Sequence, residues 1–306
     1  LSRHEEPKQL LNLSLKDLMI NETIDRVSSV CESSDIYIVT NVDQASLMKS
    51  VTVGRINENH ILCEPAARNT AACIGYAAIE IVKKYSDGIM CIFPSDHIIK
   101  DEAEFVSTLN EAIEVANEDF LVTLGISPTF PCTGYGYIRF DKNDVTRAKN
   151  VVEFKEKPDL ATAKEYVDSG EYVWNSGIFV WKASVILELF KELLPEIYTC
   201  LIKIGDAIGT DLEQDVLDEV YPMIPSISID YGIMEKCDKV KVIATDMGWN
   251  DVGSWDNLGA IYDSDERGNI FVGDHVAIDT RNCITYSNKR LISTVGVDNL
   301  IIVETD

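Results

Sequence analysis

Two aspartates stand just past short apolar runs that read as strands. Asp96 closes Gly88-Ile-Met-Cys-Ile-Phe-Pro-Ser-Asp, and Asp251 follows Val240-Lys-Val-Ile-Ala-Thr-Asp-Met-Gly-Trp-Asn. In an open α/β sheet, ligands bind in the crevice beyond the carboxyl ends of the strands. Two carboxylates delivered there can share a hard cation, and Mg²⁺ bound by one or two carboxylates usually brings phosphates with it. Asp96 and Asp251 are therefore candidate catalytic metal ligands. Either one alone reads better as a turn residue, since Asp is common in turns. The pair gains weight from cations that recur beside other motifs: Arg3, Lys8, Arg68, Lys155 and Lys157. Lys8 follows Pro7 on a non-helical approach segment, which leaves its ammonium free to reach a phosphate or simply exposed.

Further polar groups fall at places where backbone or side chain can meet a ligand. Gly134 and Gly136 flank Tyr135 and allow close backbone approach, although a bulged strand needs the same residues. Glu156 and Lys157 precede Pro158, so their backbone is held extended. A carboxylate there can accept two sugar hydroxyls and the neighbouring lysine can meet a phosphate; an exposed strand end of alternating charge is the plainer alternative. Asn175, just before Gly177, can bond a hydroxyl or close a turn. Arg68, Asn69 and Thr70 open a helix, whose N–H groups favour anions; N-capping by Asn69 or Thr70 explains them equally well.

The elements that position these residues alternate in type. Strands are predicted at Asp35–Thr40, His60–Cys63, Gly88–Pro94 and Phe120–Gly125, with helices over Asn69–Tyr85 and Glu102–Asn117. This rhythm argues for a Rossmann-like α/β fold, a mixed but mostly parallel sheet flanked by helices. Beyond residue 130, strands at 135–140 and 151–156 add an antiparallel or mixed element, and a further strand is predicted at 176–181. Helices follow at 159–169, 183–194 (ended by Pro195), 211–221 and 230–236. From Gly268 onward, short closely spaced strands suggest a small all-β appendage of solenoid coils. We set the boundary between residues 1–262 and 263–306.

Composition narrows the partners. The formal net charge of −24 repels polyanions, so nucleic acid is not an expected partner. No apolar run approaches the ~18 residues of a membrane span. The eight cysteines form no C-x-x-C pair and read as buried, reduced thiols of a cytoplasmic protein.

An ordered set of segments carries a resemblance across nearly the whole chain: Leu1-Ser-Arg…Pro7-Lys-Gln, Glu64-Pro-Ala-Ala-Arg-Asn-Thr-Ala, Phe93-Pro-Ser-Asp-His, Thr133-Gly-Tyr-Gly-Tyr-Ile, Phe154-Lys-Glu-Lys-Pro, Trp174-Asn-Ser-Gly-Ile-Phe, Ser228-Ile-Asp-Tyr-Gly-Ile-Met-Glu and Trp249-Asn-Asp-Val-Gly-Ser-Trp. The set resembles the mannose-1-phosphate guanylyltransferases of the sugar nucleotidyltransferase family. The resemblance implies a nucleotide-diphospho-sugar transferase fold with a small C-terminal β-helical segment. It implies Mg²⁺-dependent conversion of GTP and mannose 1-phosphate to GDP-mannose and pyrophosphate, and it allows a homodimer. On the matching positions, Lys8, Asp96 and Asp251 become catalytic, with Asp96 and Asp251 holding the metal. Arg3, Lys8, Glu64, Arg68, Asn69, Thr70 and Asp96 become nucleotide-binding, and Gly134, Tyr135, Gly136, Glu156, Lys157 and Asn175 sugar-phosphate-binding. The carboxylate of Glu64 suits the N1–H and N2–H₂ edge of guanine. The family's glycine-rich loop, with its arginine, is expected immediately before Leu1, and the chain is expected to continue past Asp306. A relative using another base or sugar, or a non-catalytic nucleotide-sugar binder, would share this fold.

Overall fold

The computed structural model describes residues 7–304. The chain folds as two compact units, one built from residues 24–94 and 100–247, the other from residues 1–23, 95–99 and 248–306. Helix α1 (Met19–Val27) runs across the first chain crossing.

The larger unit begins with β1 (Ile38–Asn41), α2 (Val42–Val51) and β2 (Ile61–Glu64); β1 and β2 pair in parallel. Then come α3 (Asn69–Tyr85), β3 (Ile89–Ile92), α4 (Glu102–Ala116), β4 (Leu121–Ile126), β5 (Tyr137–Phe140), β6 (Ala148–Lys155), α5 (Leu160–Ser169), β7 (Tyr172–Lys182), α6 (Ala183–Leu193), α7 (Pro195–Ala207), α8 (Glu213–Val220) and β8 (Val240–Thr245). Six of these strands form one mixed sheet in the order β3-β7-β4-β8-β6-β5. The α/β class and the mixed sheet are as expected: β3, β4, β5 and β8 share one direction, and β6 and β7 run against it. Its parallel pairing is β4 with β8, whereas β7 runs antiparallel to β3, β4 and β5, and β6 antiparallel to β5 and β8. β7, an 11-residue strand, enters between β3 and β4 and runs antiparallel to both.

Burial explains why this register is unique. β4 is buried along its full length, so it reads as a continuous apolar run rather than an alternating one. Gly125 in β4 is required by packing: a Cβ there would collide with Val173 Cγ2 and lie 2.8 Å from Val242 Cγ2. Gly125→Ala should therefore destabilise the protein by about 1–3 kcal/mol through overpacking, read as a lower urea midpoint with an unchanged m-value. A wild-type midpoint would mean the sheet relaxes freely at this point. Close helix packing rests on glycine as well: Gly75 of α3 faces Leu201 of α7, and Gly205 of α7 faces Ile79 of α3.

In the smaller unit, β9 (Ile270–Val272), β10 (His275–Ile278), β11 (Ile284–Tyr286), β12 (Ile292–Val295) and β13 (Ile301–Val303) pair only in parallel, β9–β11–β13 and β10–β12. Partners repeat along the chain, Ile270↔Ile284↔Ile301, as in successive solenoid coils. Their inner residues Ile270, Val272 and Tyr286 share a core with Leu13, Met19, Val252 and Leu258. All eight cysteines are free, but only Cys283 is fully buried; the others are half-buried. Among the described residues, no helix is long and apolar enough to cross a membrane.

Candidate functional site

In the smaller unit, three sequence-predicted residues come together. Lys8 follows Pro7, whose extended backbone (φ −65°, ψ 148°) feeds a single 3₁₀ turn over Lys8–Leu10. Its ammonium donates to Asp96 Oδ2 at 3.0 Å and to the main-chain carbonyl of Asp251. The Lys8 side chain is mostly buried, so the pair is shielded from solvent more than a surface ion pair would be. The backbones carrying the two aspartates are tied by an antiparallel bridge, Ile98 N to Asn250 O and Asn250 N to Ile98 O, both 2.9 Å.

Local geometry fixes each carboxylate. Gly253 N donates to Asp251 Oδ1 at 3.3 Å, and Val252 N donates to Asn250 Oδ1 at 2.7 Å. Val252 is fully buried with φ +44°, a backbone region that β-branched residues avoid. Such strain persists where surroundings over-determine it. Trp249 Nε1 donates to His97 Nδ1 at 3.1 Å, which leaves the His97 proton on Nε2, 3.9 Å from Asp96 Oδ1. His97 and Trp249 lie within the quoted motifs, but spacing alone carries no signal that one orients the other.

In the larger unit, the predicted sugar residues also converge. Gly136 O accepts from Asn175 N at 2.8 Å, and a Cβ on Gly136 would lie 2.5 Å from Glu156 Oε2 and 3.2 Å from Asn175 Cβ. Glycine here is the condition for Glu156 and Asn175 to meet. Lys157 Nζ pairs with Glu156 Oε1 at 2.9 Å, and Lys157 N donates to Tyr135 O at 3.2 Å. Lys157 itself has φ +47° rather than the extended backbone expected before Pro158. The ring of Tyr135 packs edge-on against Trp174 at 5.1 Å. Gly134 lies beside Cys132 and makes no comparable approach to the cluster. Asp230, absent from the sequence-predicted set, accepts from Asn175 Nδ2 at 3.0 Å. Burial, reinforced by the Glu156 charge, pushes its carboxyl up to about 6.

The start of α3 differs from the expected anion site. Asn69 Oδ1 accepts from Thr70 N at 2.8 Å and Ala71 N donates to Ile227 O at 3.2 Å, so these helix-start donors are already used. Neither Asn69 nor Thr70 is the N-cap; Arg68 is, without a side-chain cap bond. Thr70 Oγ1 accepts from Ile229 N at 2.9 Å, and Arg68 donates to Pro222 O. Glu64 accepts the Tyr221 hydroxyl, and burial raises its carboxyl above the ordinary range. These four residues thus hold the 221–229 segment. Arg3 lies outside the described residues.

Comparison with known proteins identifies the family of the chain. A family model described as nucleotidyl transferase matches residues 1–267. The chain belongs to the nucleotidyl transferase family. A second model, described as a MannoseP isomerase/GMP-like beta-helix domain, matches residues 273–306 of this nucleotidyl transferase, where the parallel solenoid strands lie. The xanthan biosynthesis protein XanB of Xanthomonas campestris pv. campestris is 39% identical over 307 residues, covering 100% of the chain and 65% of that protein. A mannose-1-phosphate guanylyltransferase of Salmonella montevideo is 39% identical over 313 residues, covering 100% of the chain and 66% of that protein. The chain therefore spans just under two thirds of the length of these curated relatives. A crystal structure described as mannose-1-phosphate geranyltransferase from Thermus thermophilus superposes with a TM-score of 0.89 at 32% identity, covering 100% of this nucleotidyl transferase and 88% of that chain.

Divalent metals are common in nucleotidyl transferases of this family. Among the described residues, no group of three or more His, Cys, Asp or Glu side chains forms a self-sufficient metal site. Carboxylate oxygens such as those of Asp96 and Asp251 are the donor class that hard cations take, with phosphate oxygens and water completing the shell.

Proposed function

We propose that the chain transfers GMP from GTP to mannose 1-phosphate, giving GDP-mannose and pyrophosphate. The observation that carries the reading is the Lys8–Asp96–Asp251 cluster: an ammonium bonded to the Asp96 carboxylate and to the main chain that carries the Asp251 carboxylate. That is the equipment of an in-line displacement at phosphorus, in which positioning and charge neutralisation do most of the catalysis. The relative of Salmonella montevideo that bears the guanylyltransferase name supports the choice of substrates.

The sugar-phosphate oxygen is already anionic, so no base is needed. It attacks the α-phosphorus of GTP, a new P–O bond forms, and the bond to the pyrophosphate oxygen breaks. In this reading Asp96 and Asp251 would hold Mg²⁺, which when bound supplies charge neutralisation to the triphosphate. Lys8 neutralises phosphate oxygens, and Arg3 is assigned to the nucleotide as well. Glu156 and Asn175 bind mannose hydroxyls, Lys157 the sugar phosphate, and the Gly134-Tyr135-Gly136 backbone lines the same pocket. Tyr221 takes Glu64 Oε1, so Oε2 is the acceptor offered to guanine. Arg68, Asn69 and Thr70 are assigned to the nucleotide side, with Arg68 and Thr70 also holding the neighbouring segment. The proposal sets the enzyme in the cytoplasm, consistent with its eight free thiols.

Pyrophosphate release is the test. Across a panel of nucleoside triphosphates and hexose 1-phosphates, GTP with mannose 1-phosphate should rank first, with release requiring both. A preference for UTP or dTTP would overturn the base assignment, and release without a sugar phosphate would overturn the reaction.

A further inference from the structure

The Asn175 side chain has four hydrogen-bonding positions, and three are already filled. Oδ1 accepts from Gly177 N at 3.1 Å and from Thr123 Oγ1 at 3.2 Å; Nδ2 donates to Asp230 Oδ1 at 3.0 Å. Because Gly177 N–H can only donate and an ionised Asp230 can only accept, the amide has one orientation. Among the described residues, the second Nδ2–H makes no hydrogen bond.

The surroundings make that orientation a built feature. The β4–β7 register shifts between Thr123↔Phe179 and Gly125↔Asn175, so Ser176, Gly177 and Ile178 bulge opposite Leu124. Gly177 takes φ +74° within the bulge, and Ser176 Oγ donates to Leu124 O at 2.7 Å. Bulges of this kind re-aim a side chain. Asp230 is held just as firmly. It opens a π-helical turn, Asp230–Met234, and the residue before it is tied by Ile229 N to Thr70 Oγ1 at 2.9 Å. Single π turns inside proteins concentrate at functional sites.

The structure assigns Asp230 as a positioning residue of the sugar site: its carboxylate locks the Asn175 amide so that the remaining N–H meets a sugar hydroxyl acceptor beside Glu156. The assignment rests on the sugar-site reading proposed above. Asp230 lies within electrostatic reach of both Glu156 and the Lys157 ammonium, and Lys157 pairs with Glu156 at 2.9 Å. Function at position 230 should therefore require a group that accepts a hydrogen bond.

The test compares Asp230→Ala, Asp230→Asn, Asn175→Ala and the Asp230→Ala/Asn175→Ala double variant by steady-state kinetics. Asp230→Ala should raise KM for mannose 1-phosphate by about tenfold, the scale of one lost hydrogen bond to a charged group, with KM for GTP little changed. Asp230→Asn keeps an oxygen for Asn175 Nδ2 and should restore KM to within about threefold of wild type. Once Asn175 is gone, Asp230→Ala should add little, since coupled residues are non-additive. Equal effects on both substrates, no rescue by Asn, or additive losses in the double variant would each overturn the assignment. Wild type run in parallel on several hexose 1-phosphates separates the two claims. Turnover of another sugar phosphate instead of mannose 1-phosphate overturns the substrate reading, and the Asp230 comparison is then made on that sugar. Absence of turnover with every sugar phosphate overturns both.

Discussion

Asp96→Asn and Asp251→Asn should each lower kcat by on the order of a hundredfold or more, as removal of charge stabilisation from a phosphoryl-transfer site does. The two variants need not behave alike at the level of Lys8. Asp96 gives Lys8 its carboxylate partner, whereas Asp251 gives it a main-chain carbonyl, which survives the substitution. Asp96→Asn should therefore also loosen Lys8 and raise KM for GTP, while Asp251→Asn should act mainly on kcat and on the Mg²⁺ concentration needed for half-maximal rate. Stability should change by no more than about 1 kcal/mol in either, since the Lys8–Asp96 pair is only partly buried. Near-normal turnover at saturating Mg²⁺ in either variant would make that aspartate a turn residue.

Glu156→Ala should raise KM for mannose 1-phosphate by roughly tenfold to a hundredfold while KM for GTP stays within about twofold, because a buried carboxylate that accepts hydroxyls contributes about 1.5–3 kcal/mol. Glu156 is mostly buried, pressed against the Gly136 backbone and neutralised by Lys157. The complementary variant, Gly136→Ala, puts a Cβ 2.5 Å from Glu156 Oε2 and should displace the same carboxylate without removing it. Both variants should shift the same kinetic constant. An equal rise in both KM values for Glu156→Ala would take Glu156 out of the sugar site.

The legible parts of the sequence are those where local signals agree. Helix α3 runs over Asn69–Tyr85 as its apolar period predicts, and Asp159 caps α5 as an Asp should, accepting from Thr162 N at 2.8 Å. Lys8, Asp96 and Asp251 stand out because cations and carboxylates beside strand ends suggest phosphate chemistry, and Lys8 bonds both the Asp96 carboxylate and the Asp251 main chain. Pro195 carries two meanings, of which the sequence shows one: it follows the end of α6, and it also occupies the first turn of α7 (Pro195–Ala207), where its missing N–H costs nothing. Helix α2 gives little signal because it is short and only weakly amphipathic, whereas α1, with Met19, Ile20 and Ile24 buried, carries an apolar face that its nine-residue length obscures. The antiparallel entry of β7 has no local signature, since strand direction is decided by long-range pairing. Asp230 escapes sequence reasoning for a similar reason. Its partner Asn175 is 55 residues away, and nothing in Ser228-Ile-Asp-Tyr-Gly by itself marks a carboxylate that faces an amide.

The central claim is that the α-phosphorus of GTP moves to the sugar phosphate. GTP labelled at the α-phosphate, incubated with the protein, Mg²⁺ and mannose 1-phosphate, tests it in one tube. The account predicts that the label appears in GDP-mannose, in proportion to the pyrophosphate released, and that Asp251→Asn nearly abolishes both. Label found only in GTP, GDP or GMP while the sugar phosphate is unchanged would contradict it.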